Sequence, residues 1–250
     1  MAGLADASGD RITVHGLDLA EELIGSTSFA SMLYLLTIGE LPERSVESMI
    51  DAMLVTVAEH GLTPSAITAR LTYRGAPDSL QGAVAAGLLG AGPALLGTAE
   101  QAAGMLARLV SDSTAETREQ VVSQSVAAWL REGAVIPGFG HPIHRDGDAR
   151  VAALRRVQTD QRLPEEHFLT AVLVESALSE AKGRTVPMNA AGAIGAIVSD
   201  MRLPPRFARG LSIVARSAGL LAHVMEEASH PIADRIWKDT RSRSSNPGQP

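Results

Sequence analysis

The chain has 250 residues, no cysteine and a formal net charge of −6. The lack of cysteine excludes disulfides, zinc–thiolate sites and thiolate nucleophiles, and an acidic balance without basic runs argues against a nucleic-acid or anionic-lipid surface. Hydrophobic residues make up 45% of the chain and aromatic residues only 3%, so this alanine-rich composition favours closely packed helices over strands.

The N-terminal residues and the apolar runs bear on where the chain works. Residues 1–10 lack the basic start and the apolar stretch of a signal peptide. No run of about 18 apolar residues is free of charge, as a membrane span requires. We therefore expect a cytoplasmic protein without a membrane span.

Apolar residues recur at helical spacing along most of the chain. We predict helices over 18–24, 29–38, 46–58, 65–72, 80–89, 98–110, 116–130, 149–157, 165–182, 190–201 and 207–227. A break rich in Gly and Pro interrupts them at 133–147, and the tail from residue 241 has the composition of a disordered segment. No internal repeat and no alternating strand pattern is recognised, so the predicted fold class is all-α.

The most informative segment lies in that break and reads Pro-Gly-Phe-Gly-His-Pro over residues 137–142. Gly138 and Gly140 flank Phe139, and a residue without Cβ lets the backbone approach a ligand closely. His141 follows at once and can titrate or donate a hydrogen bond. The segment therefore predicts a ligand-binding loop with one candidate acid or base.

Two arginines follow the loop, Arg145 and Arg150. Arginine suits phosphate and carboxylate groups because it makes forked, charge-assisted hydrogen bonds. Physical chemistry alone thus indicates an anion site beside His141. The alternative is a glycine-rich turn with surface arginines.

The stretch from Pro137 to Arg150 resembles the signature loop of the citrate synthases, and the similarity covers nearly the whole chain. Further segments similar to the family are Thr27-Ser28-Phe29, Gly39-Glu40-Leu41-Pro42, Glu59-His60-Gly61, Pro187-Met188-Asn189 and Ala215-Arg216-Ser217. Ser229-His230-Pro231 resembles the end of the citryl-CoA-cleaving domain of ATP citrate lyase. The resemblance points to the citrate synthase superfamily, and within it to proteins similar to the short citryl-CoA lyases.

The resemblance implies catalytic roles for four residues. His141 matches the histidine that hydrogen-bonds the oxo or hydroxyl oxygen of the oxaloacetate unit, and His60 matches a histidine that helps to hold that unit. Arg150 and Arg216 match arginines that clamp its carboxylates. His60 has an alternative as a helix C-terminal histidine favoured by the helix dipole.

Coenzyme A, as thioester substrate or product, is the second ligand that the resemblance implies. Arg145 matches a residue near its phosphates, and the Gly138, Phe139 and Gly140 backbone would lie along it. No metal is implied, because the histidines lack metal-ligand spacing.

Arg216 lies within an apolar helix, where an unpaired charge is costly, so it needs a partner. A structural carboxylate such as Glu226 or Glu227 is the expected alternative partner to a substrate. Three weaker candidates are expected to be structural: Arg70, His144 and His223.

The chain departs from the family pattern at two positions. Leu95 occupies the position of a second catalytic histidine, which the citryl-CoA-cleaving domain of ATP citrate lyase also lacks. Ala191 occupies the position of the catalytic aspartate. Asp200 lies nine residues further along, about 13.5 Å on a helix, and cannot replace it directly. The first departure favours a lyase over a synthase, and the second leaves the proton donor unassigned.

Three functions stay open. The resemblance favours a lyase that cleaves citryl-CoA, or a related 3-hydroxy acyl-CoA, to acetyl-CoA and oxaloacetate by a retro-Claisen reaction. The alternatives are a citrate synthase-like acyltransferase that condenses acetyl-CoA with an oxo acid, and a non-catalytic acyl-CoA-binding homologue. In each case the expected ligands are an acyl-CoA and a di- or tricarboxylate.

The resemblance also implies a two-domain helical architecture. Residues 1–96 and 199–250 would form a large domain, and residues 97–198 a small domain that carries His141. The ligand would occupy the cleft between them, and closure of the cleft would exclude water. Members of the family are dimers at least, so we expect a homodimer or a larger assembly.

Overall fold

The computed structural model describes residues 3–140 and 147–244, without the side chains of Ala94 and Leu95. Within these residues the chain forms eleven α-helices: α1 (Phe29–Ile38), α2 (Arg44–Ala58), α3 (Pro64–Gly75), α4 (Leu80–Leu96), α5 (Thr98–Ser111), α6 (Arg118–Arg131), α7 (Ala149–Asp160), α8 (Glu166–Lys182), α9 (Ala190–Asp200), α10 (Pro205–Ser229) and α11 (Ala233–Ser244). The helical fold class predicted from composition and periodicity is confirmed.

A small antiparallel sheet precedes the first α-helix. Its strands are β1 (Ala5–Ser8), β2 (Arg11–Val14) and β3 (Leu17–Asp18), in that order, and a π-helical turn follows at Leu19–Leu23. Asp18 caps this turn by accepting hydrogen bonds from the backbone N–H groups of Ala20 and Glu21. The helix predicted over 18–24 corresponds to this π-helical turn, whereas the prediction of no strands was wrong here. Strands of two to four residues are too short to show an alternating pattern.

Helix α4 runs further than the sequence pattern predicted, and helix α11 was not predicted at all. Helix α4 continues past residue 89 to Leu96, through a kink at Gly92, where φ is 53° just before Pro93. Helix α11 extends to Ser244, so residues 241–244 are helical where a disordered tail was predicted.

Helix α9 lies in the centre of the core, and every residue from Gly192 to Asp200 is buried. It packs closely on α5, because a Cβ at Gly195 would lie only 2.7 Å from the backbone N of Ala103. Ile194 and Ile197 of α9 belong to the same apolar cluster as Met49 of α2. This packing fixes the N-terminus of α9, where Ala191 lies. The division into domains of 1–96 with 199–250 and of 97–198 stays a prediction.

Asp200 has a structural role at the opposite end of α9. Its carboxylate accepts hydrogen bonds from the backbone N–H groups of His167 (2.7 Å) and Phe168 (3.1 Å), and from the side-chain amide of Gln158 (2.9 Å). Because Glu165 provides no side-chain cap for α8, Asp200 satisfies the free N–H groups at the start of that helix.

The segment Leu80–Ser111, which comprises α4 and α5, is long and apolar enough by length and composition to cross a membrane. The core helix of a soluble protein has the same length and composition. Ala102 and Leu106 of α5 are fully buried in this fold. The absence of a membrane span stays a prediction.

Gly219 lies where α10 crosses the end of α2. A Cβ at this position would collide with the backbone carbonyl oxygen of Ala58, the last residue of α2. We therefore expect Gly219→Ala to push the two helices apart. The free energy of unfolding, measured by urea denaturation, should fall by about 1 to 3 kcal/mol.

Gly210→Ala on the same helix is the matched control for Gly219→Ala. Among the described atoms, none outside the local helix lies within 4 Å of a Cβ built at Gly210. This variant should unfold like the wild type or be more stable by up to about 1 kcal/mol, because alanine is the better helix former. An equal loss of stability in both variants would contradict the close-packing argument.

Candidate active site

A cavity of about 770 Å³ lies where the N-termini of three helices meet α10. Thr63, Pro64 and Ser65 come from the start of α3, Thr98 and Ala99 from the start of α5, and Ala190 and Ala191 from the start of α9. Each helix N-terminus carries a partial positive charge that favours a nearby anion. These three termini therefore give their part of the wall a positive potential, whereas the C-terminal ends of α2 and α4, at Val57 and Leu96, contribute the opposite sign.

Basic side chains add to that potential. His60, Arg150 and Arg216 all line the cavity, although they are far apart in sequence. Among the residues described, no aspartate or glutamate lines it. The arrangement suits a ligand with several negative charges, because arginine binds carboxylates through forked hydrogen bonds.

Arg216 is held by the loop that follows α2. Its Nη1 donates to Oε2 of Glu59 at 3.3 Å and to the backbone carbonyl of Ala58 at 3.3 Å, and its Nη2 donates to the hydroxyl of Thr63 at 3.0 Å. The expectation that Glu226 or Glu227 is the partner of Arg216 was wrong. Glu226 and Glu227 instead form ion pairs with Arg70, a fully buried arginine of α3.

The Glu59 carboxylate is about half exposed. Burial raises its pKa, but the backbone N–H of Gly61, the neighbouring His223 side chain and the charge of Arg216 outweigh this and lower the pKa below its ordinary value. The carboxylate therefore stays ionised beside Arg216, and its negative charge holds the guanidinium at the wall of the cavity.

Arg150 is held by Asp148, two residues before it. Its Nε donates to Oδ1 of Asp148 at 2.9 Å and its Nη2 donates to Oδ2 at 2.7 Å, which is a forked pair. The Asp148 carboxylate is almost fully buried. It also accepts the backbone N–H of Ala190, the first residue of α9, at 3.1 Å. One carboxylate thus positions both an arginine and a helix that line the cavity.

Burial raises the pKa of Asp148, but the side-chain and backbone hydrogen bonds from Arg150 outweigh it, so the net pKa lies below the ordinary value. Sequence reasoning recognised Asp148 only as part of a motif. The signal for its role was available, because Asp immediately before a helix is a preferred N-cap. Here Asp148 caps α7 by accepting the backbone N–H of Arg150.

His60 lies just beyond the end of α2, in the loop that leads to α3. Helix α2 ends at Ala58, and Glu59 is its C-cap residue. The His60 side chain is exposed and forms part of the cavity wall. Its place just past α2 agrees with the alternative of a helix C-terminal histidine, and its place on the cavity wall agrees with the ligand-binding interpretation.

The Gly138 to Gly140 segment is fastened to the start of α9. The backbone N–H of Gly140 donates to the carbonyl oxygen of Pro187 at 2.7 Å. In the other direction, the backbone N–H of Asn189 donates to the carbonyl oxygen of Gly138 at 2.9 Å, and its side-chain amide donates to the carbonyl oxygen of Gly140 at 2.8 Å. Phe139 forms a bridge with Met188. Two carbonyl groups of the loop are therefore already bound within the protein.

Gly138 and Gly140 differ in their relation to the cavity. Gly138 is buried with φ of 90°, and a Cβ there would lie 2.6 Å from Cα of Gly192, so a close approach to α9 requires glycine. Gly140, with φ of 77°, lines the cavity. Among the described residues, Gly138 and Phe139 do not line it. Four cofactor-binding residues were predicted, and Arg145 lies outside the described residues. Of the other three, only Gly140 lies at the cavity wall.

Three residues singled out from the sequence lie outside the described residues: His141, His144 and Arg145. The side chain of Leu95 lies outside them as well. Gly140, the residue before His141, is described and lines the cavity. The role of His141 as acid or base and that of Arg145 near coenzyme A stay predictions.

The cavity wall also has an apolar part. Val57, Leu62, Leu96 and Ile194 line it, together with Ala191 at the second position of α9. Ala191 is partly buried. No ionisable group is present at the position where the resemblance implies an aspartate, so the cavity wall is uncharged at Ala191.

Within residues 3–140 and 147–244, no group of three or more histidine, aspartate or glutamate side chains is arranged to bind a metal ion. His60 is the one such side chain on the described cavity wall. Chemistry without a metal stays a prediction.

Glu227 is expected to make stability dependent on acid pH. Its buried carboxylate accepts the backbone N–H groups of Ile232 (3.0 Å) and Ala233 (2.9 Å) and a hydrogen bond from Arg70 (3.0 Å). Burial raises its pKa, but these donors outweigh burial and bring the net pKa below the ordinary value of 4.5. Such a group stabilises the fold above its unfolded-state pKa, and the contribution is lost as the pH falls through the folded-state pKa.

We therefore expect the free energy of unfolding to fall as the pH drops below about 4.5, and we expect Glu227→Gln to weaken this dependence. Urea unfolding across the acid range measures both. Glu180→Gln removes a carboxylate from the exposed face of α8 and is the control. An unchanged acid dependence in the Glu227 variant would show that other groups dominate it.

Comparison with known proteins identifies the family. The model of the citrate synthase C-terminal domain matches residues 21–239. A relative from Mycobacterium tuberculosis, whose name places it among the citrate synthases, is 31% identical over 194 residues. That similarity covers 76% of this chain and 49% of the relative, so the chain spans about half the length of the curated relatives it matches first.

Two solved structures share the fold across most of the chain. The citryl-CoA lyase of Hydrogenobacter thermophilus is 35% identical with a TM-score of 0.83, covering 92% of this chain and 87% of that one. The ATP citrate lyase of Methanothrix soehngenii, solved in complex with citrate and coenzyme A, is 25% identical with a TM-score of 0.80, covering 92% of this chain and 39% of that one. The chain therefore belongs to the citrate synthase family, and a citryl-CoA lyase and an ATP citrate lyase are among its structural neighbours.

Proposed function

We propose that this chain is a CoA-thioester carbon–carbon lyase that cleaves citryl-CoA to acetyl-CoA and oxaloacetate. The observation that carries the proposal is the cavity in which Arg150, Arg216 and His60 meet three helix N-termini, with no described acidic side chain on its wall. A tricarboxylate group fits such a site, because each carboxylate finds a positive partner.

The comparisons support a lyase of this family. The Hydrogenobacter citryl-CoA lyase is 35% identical with a TM-score of 0.83 over 92% of this chain, and the mycobacterial citrate synthase relative is 31% identical over 76% of it. The structure of the Methanothrix ATP citrate lyase contains citrate and coenzyme A, the two ligand types that the proposal requires.

In the proposed reaction a base accepts the proton of the tertiary hydroxyl group of citryl-CoA. The electron pair of that O–H bond forms the carbonyl group of oxaloacetate, and the adjacent C–C bond breaks. The bonding pair remains on the acetyl-CoA fragment as an enolate, which then takes up a proton. His141 is the proposed base, while Arg150 and Arg216 hold the carboxylates so that the breaking bond is aligned.

The proton that the enolate needs has no donor at Ala191. Water that enters the space beside this small side chain is the proposed source. A related 3-hydroxy acyl-CoA with a bulkier acyl group is a second candidate substrate. Leu96, Ala191 and Ile194 give the cavity an apolar wall, and the small side chain of Ala191 leaves space for additional carbon atoms.

The test is the release of coenzyme A and the formation of oxaloacetate from citryl-CoA, compared between the wild type and His141→Ala. We expect turnover in the wild type and a loss of about 10² to 10⁴-fold in the variant, as for the removal of a general base. His230→Ala, an exposed histidine after α10, is the matched control and should retain full activity.

Binding of acyl-CoA without turnover would overturn the lyase proposal and favour the non-catalytic homologue. Turnover that survives in His141→Ala would support the lyase activity but show that His141 is not its base. If only a larger 3-hydroxy acyl-CoA were turned over, that compound and not citryl-CoA would be the substrate.

A further inference from the structure

We propose that His223 is a positioning residue that holds Arg216 at the cavity through Glu59. The proposal rests on the function proposed above, since it assigns Arg216 to the carboxylate end of the substrate. Neither His223 nor Arg70 lines the cavity, so any influence that they have on a ligand must pass through another side chain.

A continuous chain of contacts joins His223 to Arg216. The Oε1 atom of Glu59 lies 3.1 Å from Nε2 of His223, and its Oε2 atom lies 3.3 Å from Nη1 of Arg216. Each oxygen of one carboxylate therefore has its own partner. The backbone N–H of Gly61 also donates to Oε1, so the imidazole and this N–H together fix Oε1 and direct Oε2 at the guanidinium.

Arg70 determines which nitrogen of His223 carries the proton. Its Nε and Nη2 atoms lie 3.1 Å and 2.9 Å from Nδ1 of His223. A guanidinium has donors and no acceptor, so Nδ1 must be the acceptor. The ring proton is then on Nε2, and His223 donates it to Glu59.

Arg70 is in turn fixed in the core. Only 1% of its side chain is exposed, and it donates to Glu227 at 3.0 Å and to Glu226. His223 itself is buried on α10. The fixed end of the chain of contacts therefore consists of two buried side chains on two packed helices.

Glu59 is the part that needs to be held. Helix α2 has already ended at Ala58, and the Glu59 side chain is 48% exposed. Without His223, Oε1 of this carboxylate keeps only the backbone N–H of Gly61, so the side chain turns more readily into water and Arg216 is paired with it less of the time. A guanidinium that must be ordered on binding holds a carboxylate less tightly than one that is already in place.

Two substitutions of His223 separate positioning from a purely structural role. Asparagine places its amide near the Nδ1 position, so His223→Asn keeps an acceptor for Arg70 and loses the donor to Glu59. Glutamine reaches the Nε2 position, so His223→Gln keeps the donor to Glu59. We expect His223→Asn to raise the Kd for citrate on the order of tenfold, roughly the loss of one charge-assisted hydrogen bond, and His223→Gln to restore it.

The experiment measures the Kd of citrate and the Kd of coenzyme A by calorimetry, together with the midpoint of thermal unfolding. Positioning through Glu59 predicts a change in citrate binding with unchanged coenzyme A binding. It also predicts that His223→Asn has no further effect in a Glu59→Gln background, because coupled residues are not additive. Loss of citrate binding in His223→Gln with retention in His223→Asn would overturn the proposal in favour of a structural contact with Arg70.

Direct binding separates this inference from the proposed function. If His223→Asn weakens citrate binding and His223→Gln restores it, but citryl-CoA is not turned over, the proposed lyase activity is wrong and the proposed role of His223 stands. A wild-type protein that binds neither citrate nor citryl-CoA would overturn both. Equal weakening of citrate and coenzyme A binding in His223→Asn would also overturn the inference, because it indicates a general loss of structure.

Discussion

Aspartate in place of Ala191 is expected to raise the rate of citryl-CoA cleavage by about 10² to 10⁴-fold, the contribution typical of a positioned general acid or base. Ala191 is the second residue of α9 and lines the cavity. The resemblance to citrate synthases implies a catalytic aspartate at this position. A carboxyl group there would supply the proton that the enolate needs, and the measurement is kcat for coenzyme A release.

The fold should accept this substitution. An acidic residue in the first turn of a helix interacts favourably with the helix dipole. The backbone N–H of Ala191 is already bound by the side chain of Asn189 at 3.0 Å, so a new carboxylate does not have to complete the cap. Arg150 and Arg216 line the same cavity, and their charges stabilise the carboxylate that remains once the proton has passed to the enolate.

Ala191→Asn is the matched control, because asparagine has nearly the same shape as aspartate but its amide cannot act as a general acid or base. We expect it to be no faster than the wild type. Equal rates for the two variants would contradict the prediction and show that the reaction does not use proton transfer at this position. Such a result would favour a substrate other than citryl-CoA or a chain that only binds its ligands.

The helices in the C-terminal half of the chain were predictable because their apolar spacing and capping residues agree with the final packing. The predicted helix over 190–201 corresponds to α9 (Ala190–Asp200), and the one over 165–182 corresponds to α8 (Glu166–Lys182). Asn189 caps α9 through its side chain, which is a signal that a sequence carries by itself. The sheet at the N-terminus carries no comparable signal, because β3 has only two residues.

The site was predictable only in part, because its side chains meet through tertiary contacts. Periodicity does not bring His60, Arg150 and Arg216 to one cavity, and only the family resemblance related them before the structure did. The partner of Arg216 was missed for a reason that helix geometry explains. Glu226 lies ten residues further along the same helix, about 15 Å away, whereas Glu59 is brought close by the crossing of α2 and α10.

Removal of the Arg216 charge is expected to lower kcat/KM for citryl-CoA on the order of 10²-fold or more. Hydrogen bonds to charged groups contribute about 1.5 to 3 kcal/mol each, so a forked pair to one carboxylate accounts for at least about 3 kcal/mol. The change is Arg216→Gln, and steady-state kinetics together with the Kd of citrate measure it. The unfolding midpoint should change little, since Glu59 is half exposed and water can solvate it once its partner is gone.

Arg74→Gln separates binding at the cavity from a general effect of charge. Arg74 is exposed, pairs with Asp234 at 2.8 Å and does not line the cavity, yet its loss changes the net charge by the same amount. Exposed pairs contribute little to stability, so this variant should bind citrate like the wild type. A comparable loss of citrate binding in both variants would attribute the effect to long-range electrostatics, whereas a loss confined to Arg216→Gln requires direct contact between this guanidinium and the ligand's carboxylate.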